Sequence, residues 1–354
     1  MSAPYAVHRG QLEAILAAWG MPPDFAARTA EVMAWADLHG IDSHGISMMP
    51  NYYERHRDGR IDMSARPTVA RQTPVSTLID ANRGLGHEAS RQGMEAAITK
   101  AKAAGVGVAV VRNSAHFGAC GFYVRMAADA GLIGMASTSG SGPHVAPTGS
   151  AVKRLGTDPW AFAAPGRPGE PFLLDMATTT VAAGRIRNKA NEKLDAPPGW
   201  LLTKTGAPSI DPLEASEKGG SLTSLGASPE SSSYKGYGLA VMANILSACL
   251  PGATLITDPA RQAGLPGDQI GHFFLAMDPG MFRDAGEFEA DVTALSDALR
   301  TTPPIDPAKP VLVAGDPERA NAARRMVQGI PVGPNLLANV RGIAEASGVE
   351  WRLG

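Results

Sequence analysis

The chain has 354 residues, 44% of them apolar and 19% charged, with a formal net charge of -2 at pH 7. These values fit a soluble globular protein with enough chain for one large domain or two moderate ones, and they exclude a disordered polymer. No block of like charge occurs, which argues against nucleic acid or an anionic membrane as the main partner.

Gly 40 and Pro 28 are high counts that predict many turns around a sheet. Cys120 and Cys249 are the two cysteines, without CxxC spacing, so a disulfide framework is not expected. "MSAPYAVHRGQLEAILAAWG" places charge where a secretory signal carries its apolar run, and no apolar stretch reaches membrane-spanning length. The expectation is a soluble, cytoplasmic protein.

In chain order, the region to about Arg71 reads as helical. "PPDFAARTAEVMAWADLHG" opens with Pro and Asp and sets Phe25, Thr29, Val32, Met33 and Ala36 along one face. "MMPNYYERHRDGRI" follows as an amphipathic helix ending at Gly59. From Pro74 to Ala314 short apolar runs bounded by turn residues predict strands: "VSTLID", "VGVAVV", "IGMAST", "PFLLDMA", "HFFLAMD" and "PVLVAG". Helical patterns intervene at "EASRQGMEAAITKAKAAG", "CGFYVRMAADAG" and "KGYGLAVMANILSACL", and "KGGSLTSLGASPESSS" reads as a mobile polar loop. Helices return with "DPERANAARRMVQG" and then "PVGPNLLANVRGIAEASGV". The pattern is one α/β body with a helical layer built from both chain ends, and no internal repeat.

"VSTLIDANRGLGHEAS" holds G-x-G-x-x-A at Gly84, Gly86 and Ala89, between a strand and a helix as a dinucleotide-binding turn requires. The following strand ends in Arg112 and Asn113, without the acid that would hold ribose hydroxyls, so a tight strand-to-helix turn is the preferred reading. Among the histidines, His44 in "DSHG", His116 in "NSAHFG" and His144 in "SGPHVAP" have neighbours that suggest chemistry, although the plain reading of His144 is a surface residue or backbone cap. His39 and His44 do not match HExxH, and without cysteine ligands or an acidic cluster no metal site is expected. The G-x-S-x-G of a serine hydrolase is also missing. Histidines beside serines suit proton transfer near neutral pH.

Four stretches, in this order and spacing, resemble the malate/L-lactate dehydrogenase family of the sulfolactate dehydrogenase-like fold: "DLHGIDSHGI", "NSAHFGACGFYVRMAADAGLIGMA", "GTDPWAFAAPG" running on to "PFLLDMATT", and "KGYGLAVMANILSACLPGA". The resemblance implies a mostly antiparallel mixed central sheet that is not a Rossmann fold. It also implies a helical domain from residues 1–71 plus 315–354 carrying the first catalytic histidine, and a sheet-bearing NAD(P)-binding domain over residues 72–314. A homodimer acting on a small molecule, a 2-oxo or 2-hydroxy acid, is implied as well. Carried over position by position, Ser43 and His44 are the acid/base pair and His116 a second catalytic or substrate-binding histidine. Ser139 and Ser141 lie where the family binds substrate, and His144 and Arg112 complete that candidate set. Asp175, Met176, Ala177 and Thr178, with Arg185, Lys235, Gly315, Asp316 and Pro317, are the candidate contacts to NAD or NADP.

Plainer readings stand beside these. "LLDMATT" reads equally as a core strand, Gly236 and Gly238 as packing glycines, and Asp42 as the cap of a turn that presents Ser43. Where many family members carry an Arg soon after "SHG", this chain has Ser47, Met48 and Met49. Either Arg112 or Arg185 grips the substrate carboxylate, or the substrate lacks one at that end. Arg185, Arg187, Lys189 and Lys193 tilt the cofactor slightly toward NADP. Two other functions compete: an imine reductase acting on a cyclic imino acid, and a cofactor-free hydrolase or lyase.

Overall fold

In the computed structural model, which describes residues 2–140, 142–258 and 264–354, the chain opens with a short strand, β1 (Ser2–Ala3), that pairs antiparallel with Ile330–Pro331. Helices α1 (Tyr5–Ala18) and α2 (Pro23–Leu38) follow. Pro23 at the first helical position loses no hydrogen bond, and Asp24 offsets the positive end of the helix. A 3-10 turn, Ile46–Met48, leads into α3 (Met49–Arg57). Leu12, Ile15, Met33 and Met49 share one apolar cluster with Val340 and Ile343 of the late helix Pro334–Ala346, so both chain ends close the same core.

Seven strands form the central sheet: β2 (Thr68–Gln72), β3 (Ser76–Asp80), β4 (Val106–Ser114), β5 (Ile133–Thr138), β6 (Trp160–Arg167), β7 (Glu170–Met176) and the last-entering strand, Ile270–Met277. The order is β2, β3, β4, Ile270–Met277, β5, β6, β7. Only the β3–β4 pair is parallel, and it is the pair joined by a full helical crossover, α4 (Gly86–Ala104), as parallel pairing demands. All other neighbours run antiparallel. This is the mostly antiparallel mixed sheet that the resemblance implied. Helices α4 and α5 (Cys120–Asp129) close over it through Met94, Tyr123, Val124 and Phe274.

Two expectations are corrected. "PVLVAG" is not a strand, because the Val313 N–H donates to the Asp316 carboxylate, and the segment gives β7 one bond, Leu173 N–H to Ala314 O at 3.3 Å. "KGGSLTSLGASPESSS" is not a loose loop throughout. Its centre is strand Ser221–Leu222 of a small three-stranded sheet with Leu201–Leu202 and Pro208–Ser209, and Ser221, Leu222, Thr223 and Ser224 are buried. Tertiary pairing overrides a weak local pattern there, with the Thr223 hydroxyl donating to Gly199 O at 2.6 Å. Helices α6 (Ala183–Glu192) and Glu287–Arg300, with strands β2 and β6, were not read as such from the sequence. Helix α7 (Tyr234–Asn244) runs on into one π-type turn, Ile245–Cys249. Among the described residues no helix is long and apolar enough to cross a membrane.

Candidate active site

The "DSHG" segment lies between α2 and the 3-10 turn, and it is held from both ends. Asp37, buried on α2, accepts the Ile46 N–H at 2.7 Å and bonds His8 Nε2 at 2.7 Å. Burial pushes the Asp37 carboxyl up, opposed by its bonds to His8 and Ile46. Gly45 has to be glycine, because a Cβ there would overlap the Asp37 carboxylate. From the far end of the chain Arg325, 8% exposed, donates to the Asp37 carbonyl and to the Asp42 carboxylate, one of these bonds at 3.1 Å. Asp42 is therefore an ion-pair partner and more than a turn cap. On this anchored loop Ser43 Oγ lies 2.7 Å from His44 Nδ1.

His116 follows β4 and faces that loop, its ring centroid 5.5 Å from that of His44. Its Nδ1 meets the Tyr52 hydroxyl at 2.6 Å and the Gly118 N–H at 3.3 Å. The glycine turn at Gly84–Gly86 serves this region: the Gly86 N–H donates to His116 O at 3.0 Å, and a Cβ at Gly86 would overlap Ala115 O. The same turn carries His87 inward on the first turn of α4, 1% exposed, its ring edge-on to Tyr52 with centroids 5.8 Å apart. His272, fully buried, stacks on Phe117 and bonds Thr138 Oγ1 at 2.7 Å and Ser114 Oγ at 2.9 Å.

Four histidines thus share one neighbourhood, and burial is the leading cause that holds all of them neutral. His44 is lowered to about 4, and His87 and His272 to about 3. His116 falls well below the ordinary value through burial first, and His44, His87 and His272, when protonated, and the Arg55 guanidinium act in the same direction. Only His44 and His116 keep part of their surface accessible. A pair of neutral, accessible imidazoles can accept a proton at one nitrogen and donate a hydrogen bond from another.

The "DMATT" residues end β7. Asp175 accepts the Gly121 N–H of α5 at 2.6 Å and is raised by burial to about 6. Met176 pairs with Trp160, whose indole donates to Leu239 O of α7 at 3.0 Å. Thr178 is buried and bonds Thr157 O at 3.0 Å through its hydroxyl. Its carbonyl takes the Leu225 N–H at 2.9 Å, and Leu225 lies against Gly236 of α7. Helix α6 starts just beyond; a Cβ at Gly184 would sit 3.7 Å from the Ser43 Cβ. Neither α6 nor α7 has a side-chain cap, and Arg185 and Lys235 stand exposed in their first turns with no ion pair among the described residues. Uncapped N–H donors beside cations fit the diphosphate of a dinucleotide. Gly315 lies against Pro171 and Leu173 of β7, and Pro317 opens the helix Asp316–Gln328. The Asp316 carboxylate is already engaged by Arg300 and Arg319, so its side chain acts as an anchor of this turn.

The other described candidates are engaged in bonds of their own. Arg112 donates to Asp80 at 3.1 Å on the neighbouring strand. His144 is exposed and tied by its backbone to Leu155 and Leu222. Ser139 is buried beside Gly271, one residue beyond the Thr138 that bonds His272. Ser141 lies outside the described residues. Tyr52, His87, His272 and Arg325 were not singled out from the sequence. A polar residue recurring inside an apolar run, as His272 does at the head of "HFFLAMD", is the one signal that marks any of them.

The sequence profile of the malate/L-lactate dehydrogenase family matches residues 4–341. The malate dehydrogenase of Pyrococcus horikoshii is 34% identical, covering 95% of this chain and 92% of that protein. The L-sulfolactate dehydrogenase of Methanocaldococcus jannaschii is 33% identical over 95% of this chain and 94% of its own. The crystal structure of malate dehydrogenase from Entamoeba histolytica superposes with a TM-score of 0.93 at 29% identity, covering 99% of each chain.

Proposed function

The chain belongs to the malate/L-lactate dehydrogenase family, and from that premise we propose that it is an NAD(P)-dependent oxidoreductase of small 2-hydroxy acids, with His44 and His116 as its proton-handling pair. The observation that carries this reading is the facing of two accessible neutral imidazoles, 5.5 Å between centroids, beside the first turn of α6. The nicotinamide, when bound, supplies or receives the hydride. The protein's part is to orient the substrate carbon, handle the proton and exclude water.

In the oxidising direction Ser43 Oγ accepts the Nδ1 hydrogen of His44, which leaves Nε2 as the base for the substrate hydroxyl. His116 holds the same oxygen. Lys235 and the first turns of α6 and α7 would meet the cofactor phosphates. Arg185, beside Gly184, would meet either a 2'-phosphate, which favours NADP slightly, or the substrate carboxylate. Arg112, engaged by Asp80, is the weaker choice for that carboxylate. The same reading makes residues 1–71 with 315–354 the unit that carries His44 and residues 72–314 the unit that binds cofactor, in a cytoplasmic homodimer.

The test is a panel of 2-oxo acids and cyclic imino acids offered with NADH and NADPH, followed by the loss of reduced-cofactor absorbance. Turnover of a 2-oxo acid supports the proposal. Turnover confined to imines would reassign it as an imine reductase, and no change in absorbance with any pair would refute it.

A further inference from the structure

Tyr52 is fully buried, packed in the cluster of α1, α2 and α3, and its hydroxyl lies 2.6 Å from His116 Nδ1. The hydrogen between the two could belong to either atom, and two observations decide. First, the Gly118 N–H points at the same Nδ1 at 3.3 Å. A backbone N–H can only donate, so Nδ1 presents its lone pair. Second, Tyr52 has no other hydrogen-bond partner among the described residues. Were its oxygen to accept from Nδ1–H, its own hydrogen would be buried and unpaired, which is costly. We infer that Tyr52 is a positioning residue that fixes His116 in the tautomer carrying its hydrogen on Nε2, so that His116 donates a hydrogen bond to the substrate oxygen and leaves the proton exchange to His44.

The inference rests on the dehydrogenase reading for its consequence and not for its content. His44 can take the opposite arrangement: its Nδ1 faces the Ser43 hydroxyl, and when Nδ1–H donates to that oxygen, Nε2 presents its lone pair. One secondary alcohol satisfies both rings, its hydrogen going to His44 Nε2 and its oxygen lone pair taking His116 Nε2–H. When hydride leaves the carbon, the O–H bond breaks toward His44 and the C=O bond forms. The developing carbonyl oxygen keeps its bond from His116, which neither gains nor loses a proton. The groups facing His116 (His44, His87, Arg55 and His272) include no carboxylate, and burial together with the Arg55 guanidinium disfavours an imidazolium there. That suits a ring acting only as a hydrogen-bond donor.

The test has two arms. In enzyme labelled with nitrogen-15 histidine, long-range proton–nitrogen spectra at neutral pH report which ring nitrogen is protonated, and loss of one set of signals in His116→Gln assigns them. The expected result is Nε2–H in the wild type and a mixture of tautomers in Tyr52→Phe, with kcat about five- to tenfold lower in that variant. In the kinetic arm, glutamine at 116 keeps a donor near the Nε2 position and alanine does not. His116→Ala should lose about a hundredfold to a thousandfold in kcat, and His116→Gln should recover at least about tenfold of that with the acid limb of the pH profile unmoved. Nδ1–H in the wild-type spectrum, or glutamine no better than alanine, overturns the inference. Should Tyr52→Phe fail to fold, the wild-type spectrum and the glutamine–alanine comparison still decide. Absence of turnover with any substrate would count against the dehydrogenase reading, while the spectrum judges the tautomer independently.

Discussion

Replacing Arg325 by Met separates the anchoring of the Ser43–His44 loop from the fold itself. Arg325 is 8% exposed and donates to the buried Asp37 carbonyl and to Asp42, whose side chain is 60% exposed. Losing a charged donor to a buried carbonyl costs about 1.5–3 kcal/mol. The Asp42 half of the interaction adds at most about 1 kcal/mol, because that carboxylate is re-solvated when freed. The methionine refills most of the volume, so the total is about 2–4 kcal/mol. With roughly 2.1 cal/mol/K of unfolding entropy per residue, this corresponds to a fall in Tm of roughly 3–5 °C, read by circular dichroism. Well below that temperature kcat should fall about tenfold to a hundredfold as the Ser43–His44 turn loosens, since small misplacements of reacting groups cost that much. The KM for cofactor should hold. A variant that loses the stability but keeps kcat within about twofold would refute the idea that Arg325 places His44.

Other outcomes follow from the same geometry. His44→Ala should lower kcat by about a hundredfold to ten-thousandfold without changing cofactor binding measured by nicotinamide fluorescence. Gly45→Ala should cripple activity as well as stability, because the added carbon overlaps Asp37; full activity would mean the loop has slack. Lys235→Ala should raise the KM for cofactor more than that for the acid, and the reverse pattern would move Lys235 to the substrate side. His44, His87 and His272 have folded values below the ordinary histidine value near 6.5, so their contribution is fully present above about pH 6.5. As pH falls the unfolded chain takes up protons that the folded chain refuses, and each site removes about 1.4 kcal/mol per pH unit until its folded value near 3–4 is reached. Asp158, which accepts the Gly140 N–H at 2.9 Å, and Asp175, both raised by burial to about 6, oppose this between about pH 4 and 6, and the raised Asp37 acts in the same sense. Urea midpoints should therefore decline below about pH 6.5, and more gently once His87→Asn removes one contributor. A midpoint unchanged down to about pH 5 would contradict the neutral buried histidines.

What the sequence made legible was what lies close together along the chain. Ser43 and His44 are adjacent, and the regular apolar runs of β3, β4 and β5 announce themselves by composition. "PVLVAG" misled because apolar character does not say where the N–H groups go, and here Asp316 takes the Val313 donor. The anchor of the Ser43–His44 loop was hidden by distance: Arg325 meets Asp42 across 283 positions. Tyr52, His87 and His272 come from α3, α4 and the strand at Ile270–Met277, and each reads locally as part of a core face. Only their convergence around His116 gives them a role, and convergence is a property of the sheet order. The glycine turn is the instructive case. The sequence offered it as a phosphate cradle or a packing turn, and in the structure it seats α4 against His116.

The most direct measurement follows the hydride itself. With nicotinamide cofactor carrying deuterium on the transferred position of C4, and a 2-oxo acid as substrate, mass spectrometry of the product reads the transfer. One deuterium on C2 of the hydroxy acid is expected from the wild type, and almost none in the same time from His44→Ala. A hydroxy acid formed without deuterium, or formed equally fast by the alanine variant, would contradict the proposed function.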